Sequence, residues 1–159
     1  MSPRPVRLGI GSDAIGKPLK DHVVADLAGD PRVGSLRDYS DEFEPESPYP
    51  YVAIRIAEAV AAGEIDRGIL VCGTGIGMSI AANKVGGVRA AVVHDCYSAE
   101  RSVLSNNCQI MTLGSRVIAP VAASRLVREW LAYHFDETSP SAEKVRVIES
   151  YEAGGPLTA

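Results

Sequence analysis

Residues 68–72 (GILVC) are an apolar run with no charged or strongly polar position, and glycines at 73, 75 and 77 break the chain immediately after it. A stretch that is apolar on both faces fits the centre of a parallel sheet, where neither face meets water. Short apolar runs bounded by glycine recur along the chain and alternate with longer segments of helical period, the pattern of parallel strands joined by crossover helices. Strands are expected over residues 6–11, 33–39, 68–72, 88–94 and 109–113. Helices are expected over 17–27, 51–62, 78–85, 97–104, 120–135 and 142–152. The acidic segment 40–50, with three prolines, is expected to hold no regular element.

The 159 residues, 46% of them apolar, suffice for one domain over 1–159. A formal charge of −4 with interspersed signs argues against nucleic acid or an anionic membrane as the main partner. The three cysteines show neither paired spacing nor Cys/His metal spacing, so no metal site is expected and a reducing compartment fits best. No apolar run approaches the length of a membrane span, and the N-terminus lacks a signal-peptide core, so a cytoplasmic protein is expected. Residues 154–159 read as a frayed tail.

The most informative stretch is LVCGTGIGMSIAANK, residues 70–84. Glycines at alternate positions between a strand and a helix let backbone N–H groups converge on one point, an anion site beyond the carboxyl ends of the strands. Cys72 ends the strand directly before this loop, where a nearby helix N-terminus favours the thiolate. A base beside a cradle of N–H donors suits removal of a proton α to a carbonyl, since the enediolate that forms needs its oxygen stabilised. Such chemistry needs neither metal nor cofactor. The alternative is that Cys72 is a small buried hydrophobe, as many strand cysteines are.

These residues resemble the ribose-5-phosphate isomerase B and galactose-6-phosphate isomerase family. The likeness runs from GIGSDAIG through the YP of Tyr49–Pro50, CGTGIGMSIAANKVGGVRA, YSAERSVLSNN and LGSRV to EKVRVIESYE. It implies a Rossmann-like three-layer α/β fold with a five-stranded parallel sheet. It also implies a homodimer or dimer of dimers whose active sites are completed by the neighbouring subunit, with the 142–152 helix packing on that partner. By resemblance Cys72 is the base and Thr74 its assisting hydroxyl, while Gly73, Gly75, Ile76 and Gly77 supply the anion hole. Asp13 corresponds to the residue that holds the sugar oxygens, Asn106 to a substrate-binding asparagine, and Arg116 and Lys144 to phosphate-binding cations. Met78 stands where another branch carries a glutamate base.

Three positions depart from that pattern. Ala14 replaces a phosphate-contacting histidine, Ser105 the histidine that opens a furanose ring, and Pro140-Ser141 an Arg-His pair; Lys144 stands for that motif's second arginine. A tetrose or tetrulose 4-phosphate has its terminal oxygen blocked and closes no furanose, so Ser105 is tolerable for a four-carbon substrate. The AERSVLSNN and FDETSPSAEKV forms resemble the tetritol branch, in which D-erythrulose 4-phosphate becomes D-erythrose 4-phosphate. Conversion of ribose 5-phosphate to ribulose 5-phosphate is the more conventional reading.

His94, at a strand end, is a candidate acid or phosphate contact, or a histidine with no role. Asp13 serves equally as a helix cap, and Arg116 as a surface ion-pair partner. His22 and His134 read as surface residues, Cys96 and Cys108 as structural, and Leu126 and Trp130 as core or dimer contact. Two rival functions remain at this level. One is a non-catalytic module binding a sugar phosphate or nucleotide. The other is a nicotinamide oxidoreductase, disfavoured because the first turn, GIGSDAIG, carries an acid where a pyrophosphate would sit.

Overall fold

The computed structural model describes residues 4–157. Its sheet contains β1 (Val6–Ser12), β2 (Val33–Asp38), β3 (Arg67–Cys72), β4 (Ala90–Val92) and β5 (Ile110–Gly114), all parallel, in the order β2-β1-β3-β5-β4. The helices are α1 (Lys17–Asp26), α2 (Tyr49–Ala61), α3 (Ile76–Ala82), α4 (Cys96–Leu104), α5 (Pro120–Ala132) and α6 (Ala142–Glu152). The chain leaves β1 for β2 on one side and returns past it to β3 on the other. That reversal opens a crevice at the carboxyl ends of β1 and β3, where open α/β sheets bind ligands. This is the Rossmann-like α/β architecture expected.

Alternation along the strands feeds two cores. Ile69, Val71, Met111 and Leu113 face a cluster with Val23, Leu126 and Trp130, which covers the α1 and α5 side. Leu70, Cys72 and Ile110 face the opposite cluster, with Val52 and Ile56 of α2 and Met78 of α3. Both faces are therefore apolar, which is why the central run 68–72 carries no polar break. Gly16 lets the β1–α1 turn lie on β3: a Cβ there would sit 2.1 Å from the Val71 carbonyl oxygen.

Several expected boundaries are corrected. Segment 40–50 is not wholly irregular. Ser40–Glu42 forms a 3₁₀ turn and α2 already begins at Tyr49, because Pro50 falls in the first helical turn, where its missing N–H costs nothing. α3 starts at Ile76, two residues early, and ends at Ala82. α5 stops at Ala132 because Arg67 lies over the Trp130 ring, 4.7 Å from its centroid, and donates to the carbonyls of Trp130 (2.7 Å) and Tyr133. β4 is only Ala90–Val92, and the Asn83 amide binds both Ala90 N–H and C=O at 2.8 Å, satisfying a free sheet edge. Cys96, expected to be structural, is exposed at the start of α4. Cys108 is buried, and burial pushes its thiol up to about 11. Of the anticipated tail, residues 158 and 159 lie outside the described residues, as do residues 1–3. No helix among the described residues is long and apolar enough to cross a membrane.

The α1–β2 turn is held by Asp30, whose 7% exposed side chain accepts Arg32 Nε at 2.9 Å and Nη2 at 2.5 Å. That guanidinium lowers the Asp30 carboxyl from 3.8 to about 2. A depressed carboxyl stabilises the fold above its unfolded value near 4, and the contribution disappears as pH falls through about 2. Asp30→Asn is expected to cost about 1–2 kcal/mol at neutral pH and to flatten the acid limb of stability, measured by urea melts from pH 5 to 2. Gly16→Ala should destabilise by about 2 kcal/mol or more in the same melts, because its methyl would overlap the β3 backbone.

Candidate active site

Three loops meet at the carboxyl end of the sheet. The β1–α1 turn carries Asp13, the β3–α3 loop carries residues 73–75, and the β5–α5 turn carries Ser115 and Arg116. Backbone bonds interlock them: Ser115 N–H donates to Cys72 O (2.8 Å) and Arg116 N–H to Gly73 O (3.1 Å). Ser115 Oγ donates to Ile15 O at 3.0 Å. The loops therefore form one frame around the end of β3.

Within it Cys72 is 6% exposed, and its sulfur is turned toward the loop. Gly75 N–H donates to Cys72 Sγ at 3.1 Å. That contact requires Gly75 to turn left-handed, with φ +79° and ψ −14°, a conformation that favours glycine. Ile76 N–H points to Thr74 Oγ1 at 3.3 Å. Two of the expected loop donors are thus directed at the proposed base and its hydroxyl neighbour, and Thr74 itself is exposed. α3 has only seven residues, so individual loop amides, more than a long helix dipole, supply the local positive field. Gly77 lies against Tyr49, whose ring would be 2.4 Å from any Cβ placed there.

Arg116 is exposed, and its Cδ and Nη1 lie 3.7 Å from where a Cβ of Gly73 would project. It forms no ion pair among the described residues, so the ion-pair reading of this arginine has no partner. Asp13 Oδ1 accepts the Gly16 N–H at 2.8 Å, which makes it a cap for the turn into α1. The same residue lines a cleft of about 360 Å³ with Ser12, Lys17, Lys20, Ser40 and Val52. Cys72 does not line that cleft, although it shares an apolar cluster with Val52. His94 is half-buried, and its Nε2 accepts Gly114 N–H at 2.8 Å. Burial lowers its pKa, so its geometry is that of a neutral acceptor holding the end of β5, with only Nδ1 left for other partners.

The remaining candidates lie elsewhere. α4 runs back from the carboxyl end of β4, so Ser105 at its C-cap and the exposed Asn106 after it sit at the amino-terminal end of the sheet. There Arg89 Nε donates to Asn107 O (3.0 Å) and Gln109 N–H to Arg89 O (3.1 Å). Ser105 Oγ accepts from Arg101 Nη1 at 3.3 Å, and Asn106 Nδ2 donates to Arg101 O at 3.1 Å. Lys144 is exposed on α6, which reaches the same end through Glu149–Arg89 (3.1 Å) and Glu152 to Gly87 N–H (2.8 Å). Ser105, Asn106 and Lys144 therefore do not join Cys72 within one chain. No group of three or more potential metal-ligating side chains occurs among the described residues.

Sequence reasoning passed over two features of the frame. Lys20 is 3% exposed and pairs with Asp38, whose Oδ1 accepts Ser40 N–H (2.9 Å), while Ser40 Oγ accepts Ser12 N–H (2.9 Å). Its position on the apolar stripe of Leu19 and Val23 was the available signal. The second is Thr112, fully buried in β5. A lone threonine in a strand offers no signal.

The comparisons with known proteins point to one family. A profile of the Ribose/Galactose Isomerase family matches residues 8–148. D-erythrulose-4-phosphate isomerase 2 of Mycolicibacterium smegmatis is 47% identical over 92% of this chain and 97% of its own. Ribose-5-phosphate isomerase B of Escherichia coli is 38% identical over 92% of this chain and 96% of its own. The ribose-5-phosphate isomerase B structure from Clostridium thermocellum superposes with a TM-score of 0.84 at 39% identity, covering 93% of this chain and 98% of that one. With the match running from within β1 through β2 to β5 and the glycine loop that follows Cys72, the chain belongs to the ribose/galactose isomerase family.

Proposed function

We propose that this protein interconverts the aldose and ketose forms of a short sugar phosphate, with Cys72 as the base. The observation that carries the reading is the Gly75 N–H donated to Cys72 Sγ at 3.1 Å, at the crevice between β1 and β3. That amide places partial positive charge against the sulfur. The thiolate takes the proton from the carbon next to the carbonyl, leaving an enediolate, and returns it to the neighbouring carbon. A second proton passes between the two oxygens, so no electron acceptor is needed. Gly75 N–H is taken up by Cys72 Sγ and Ile76 N–H by Thr74 Oγ1, so the charge that develops on oxygen is left to the Thr74 hydroxyl and the other amides of residues 73–77.

Asp13 is suited to hold sugar hydroxyls through the carboxylate oxygen not engaged with Gly16, and Arg116 to meet the phosphate. Ser105, Asn106 and Lys144 can act only in the site of a second copy. A homodimer or dimer of dimers with shared sites follows, and the exposed Val147, Ile148 and Tyr151 of α6 give it an apolar face to bury. Three free thiols fit a reducing cytoplasm. The rival of a non-catalytic binding module is not favoured, because the named relatives described above are isomerases. The nicotinamide reading is weaker still, since Asp13 occupies the first turn and already caps it.

A four-carbon substrate is the better supported choice. Ser105 has no imidazole with which to assist ring opening, and an open-chain tetrulose phosphate needs none. Relatives named as D-erythrulose-4-phosphate isomerases reach 47% and 45% identity. We expect kcat/KM on D-erythrulose 4-phosphate to exceed that on ribose 5-phosphate by about 100-fold or more, the lower bound for one lost acid contribution. Equal or reversed efficiencies would reject the four-carbon preference. Cys72→Ala should lower kcat on either substrate by about 10³-fold, read in coupled assays of protein whose fold is verified by circular dichroism.

A further inference from the structure

We infer that Thr112 is a positioning residue for this reaction: from β5 it holds the Gly75–Ile76 peptide in the one orientation that aims the loop amides at Cys72 and Thr74. The inference rests on the reading of the glycine loop as the enediolate cradle. Thr112 is 0% exposed, and its hydroxyl donates to Gly75 O at 2.8 Å, with a longer approach of 3.4 Å to Ala91 O. A planar trans peptide points its C=O and its following N–H in opposite directions. Drawing Gly75 O down onto β5 therefore sends Ile76 N–H outward, to the side where it meets Thr74 Oγ1.

The same anchor acts on the preceding peptide. Gly75 is left-handed and pressed on β5, where a Cβ would lie 3.1 Å from Leu113 backbone atoms and from Thr112 Oγ1. With its carbonyl pinned and its φ at +79°, the Gly75 N–H has one direction left, and that direction is the sulfur of Cys72. Gly75 O also accepts Ser79 N–H at 3.1 Å, the first bond of α3. A carbonyl has two acceptor sites, so helix and threonine each fill one. The helix bond ties the peptide to α3. The hydroxyl alone ties it to the sheet, and hence to the position of Cys72.

Thr112→Val keeps the shape of the buried side chain and removes the donor, while Thr112→Ser keeps the donor and removes a methyl. Removing a donor that meets the developing charge directly costs roughly 100-fold or more in kcat; Thr112 only steadies amides that act through Cys72 and Thr74, so its loss should cost about 10-fold. For T112V we expect kcat on D-erythrulose 4-phosphate and on ribose 5-phosphate to fall about 10-fold with KM within about threefold of wild type, and T112S to recover most of the loss. A packing defect alone would lower the melting temperature without this split, and serine would not rescue it. Should T112V fail to fold, Thr112→Ala compared with T112S makes the same comparison. Wild-type kcat in T112V or T112A, or a loss that serine does not restore, overturns the inference. Assay of Cys72→Ala beside them separates the two readings. An inactive C72A with unaffected T112V rejects only the role of Thr112, whereas a fully active C72A rejects the cradle chemistry, and the positioning role with it.

Discussion

The backbone of Gly75 sets the arrangement of the site. One residue in the left-handed region lets the chain leave β3, donate an amide to the sulfur it has just passed, and start α3 on the next peptide. A side chain there would face both a strained φ and the backbone of β5. Sheet register supports this turn from beneath, because Cys72 pairs with Gly114 and Gly114 is itself held by His94. The parallel sheet is thus a scaffold that fixes where one thiol and a few amides stand relative to each other.

A consequence is that the site's parts come from different depths of the fold. Cys72 and Thr112 are buried, Thr74 and Arg116 are exposed, and Asp13 lies half-buried on the rim of the cleft beside β1. Their mutual placement depends on backbone bonds between loops more than on side-chain contacts, as the bonds from Ser115 and Arg116 to Cys72 and Gly73 show. The second group, Ser105, Asn106 and Lys144, stands at the other end of the sheet, where helix direction alone puts it. Two copies arranged so that one molecule's amino-terminal end meets the other's carboxyl-terminal end would reunite the set.

β1, β3 and β5 were legible because each is short, largely apolar and ends on or beside a glycine. The glycine loop was legible for the same reason, since alternate glycines leave few other conformations. Boundaries were less so. Pro50 looked like a helix breaker in sequence, yet a proline in the first turn begins α2 without loss. The end of α5 depends on Arg67, a residue more than sixty positions away, so periodicity within 120–135 had no access to it. His94 was noticed as a strand-end histidine, but its partner is a backbone amide of another strand, a contact that exists only once β4 and β5 are paired. The role of Thr112 was hidden in the same way: only the folded register brings its hydroxyl to Gly75.

Hydrogen isotope transfer is the most direct probe of the thiol. Turnover of D-erythrulose 4-phosphate or ribose 5-phosphate in heavy water, followed by proton NMR at the carbon beside the carbonyl, reports the abstraction step itself. A Cys72 base predicts deuterium at that carbon with the native protein and none above background with Cys72→Ser at equal protein concentration. Exchange persisting at the native rate in Cys72→Ser would contradict it, and would place the base on a different side chain.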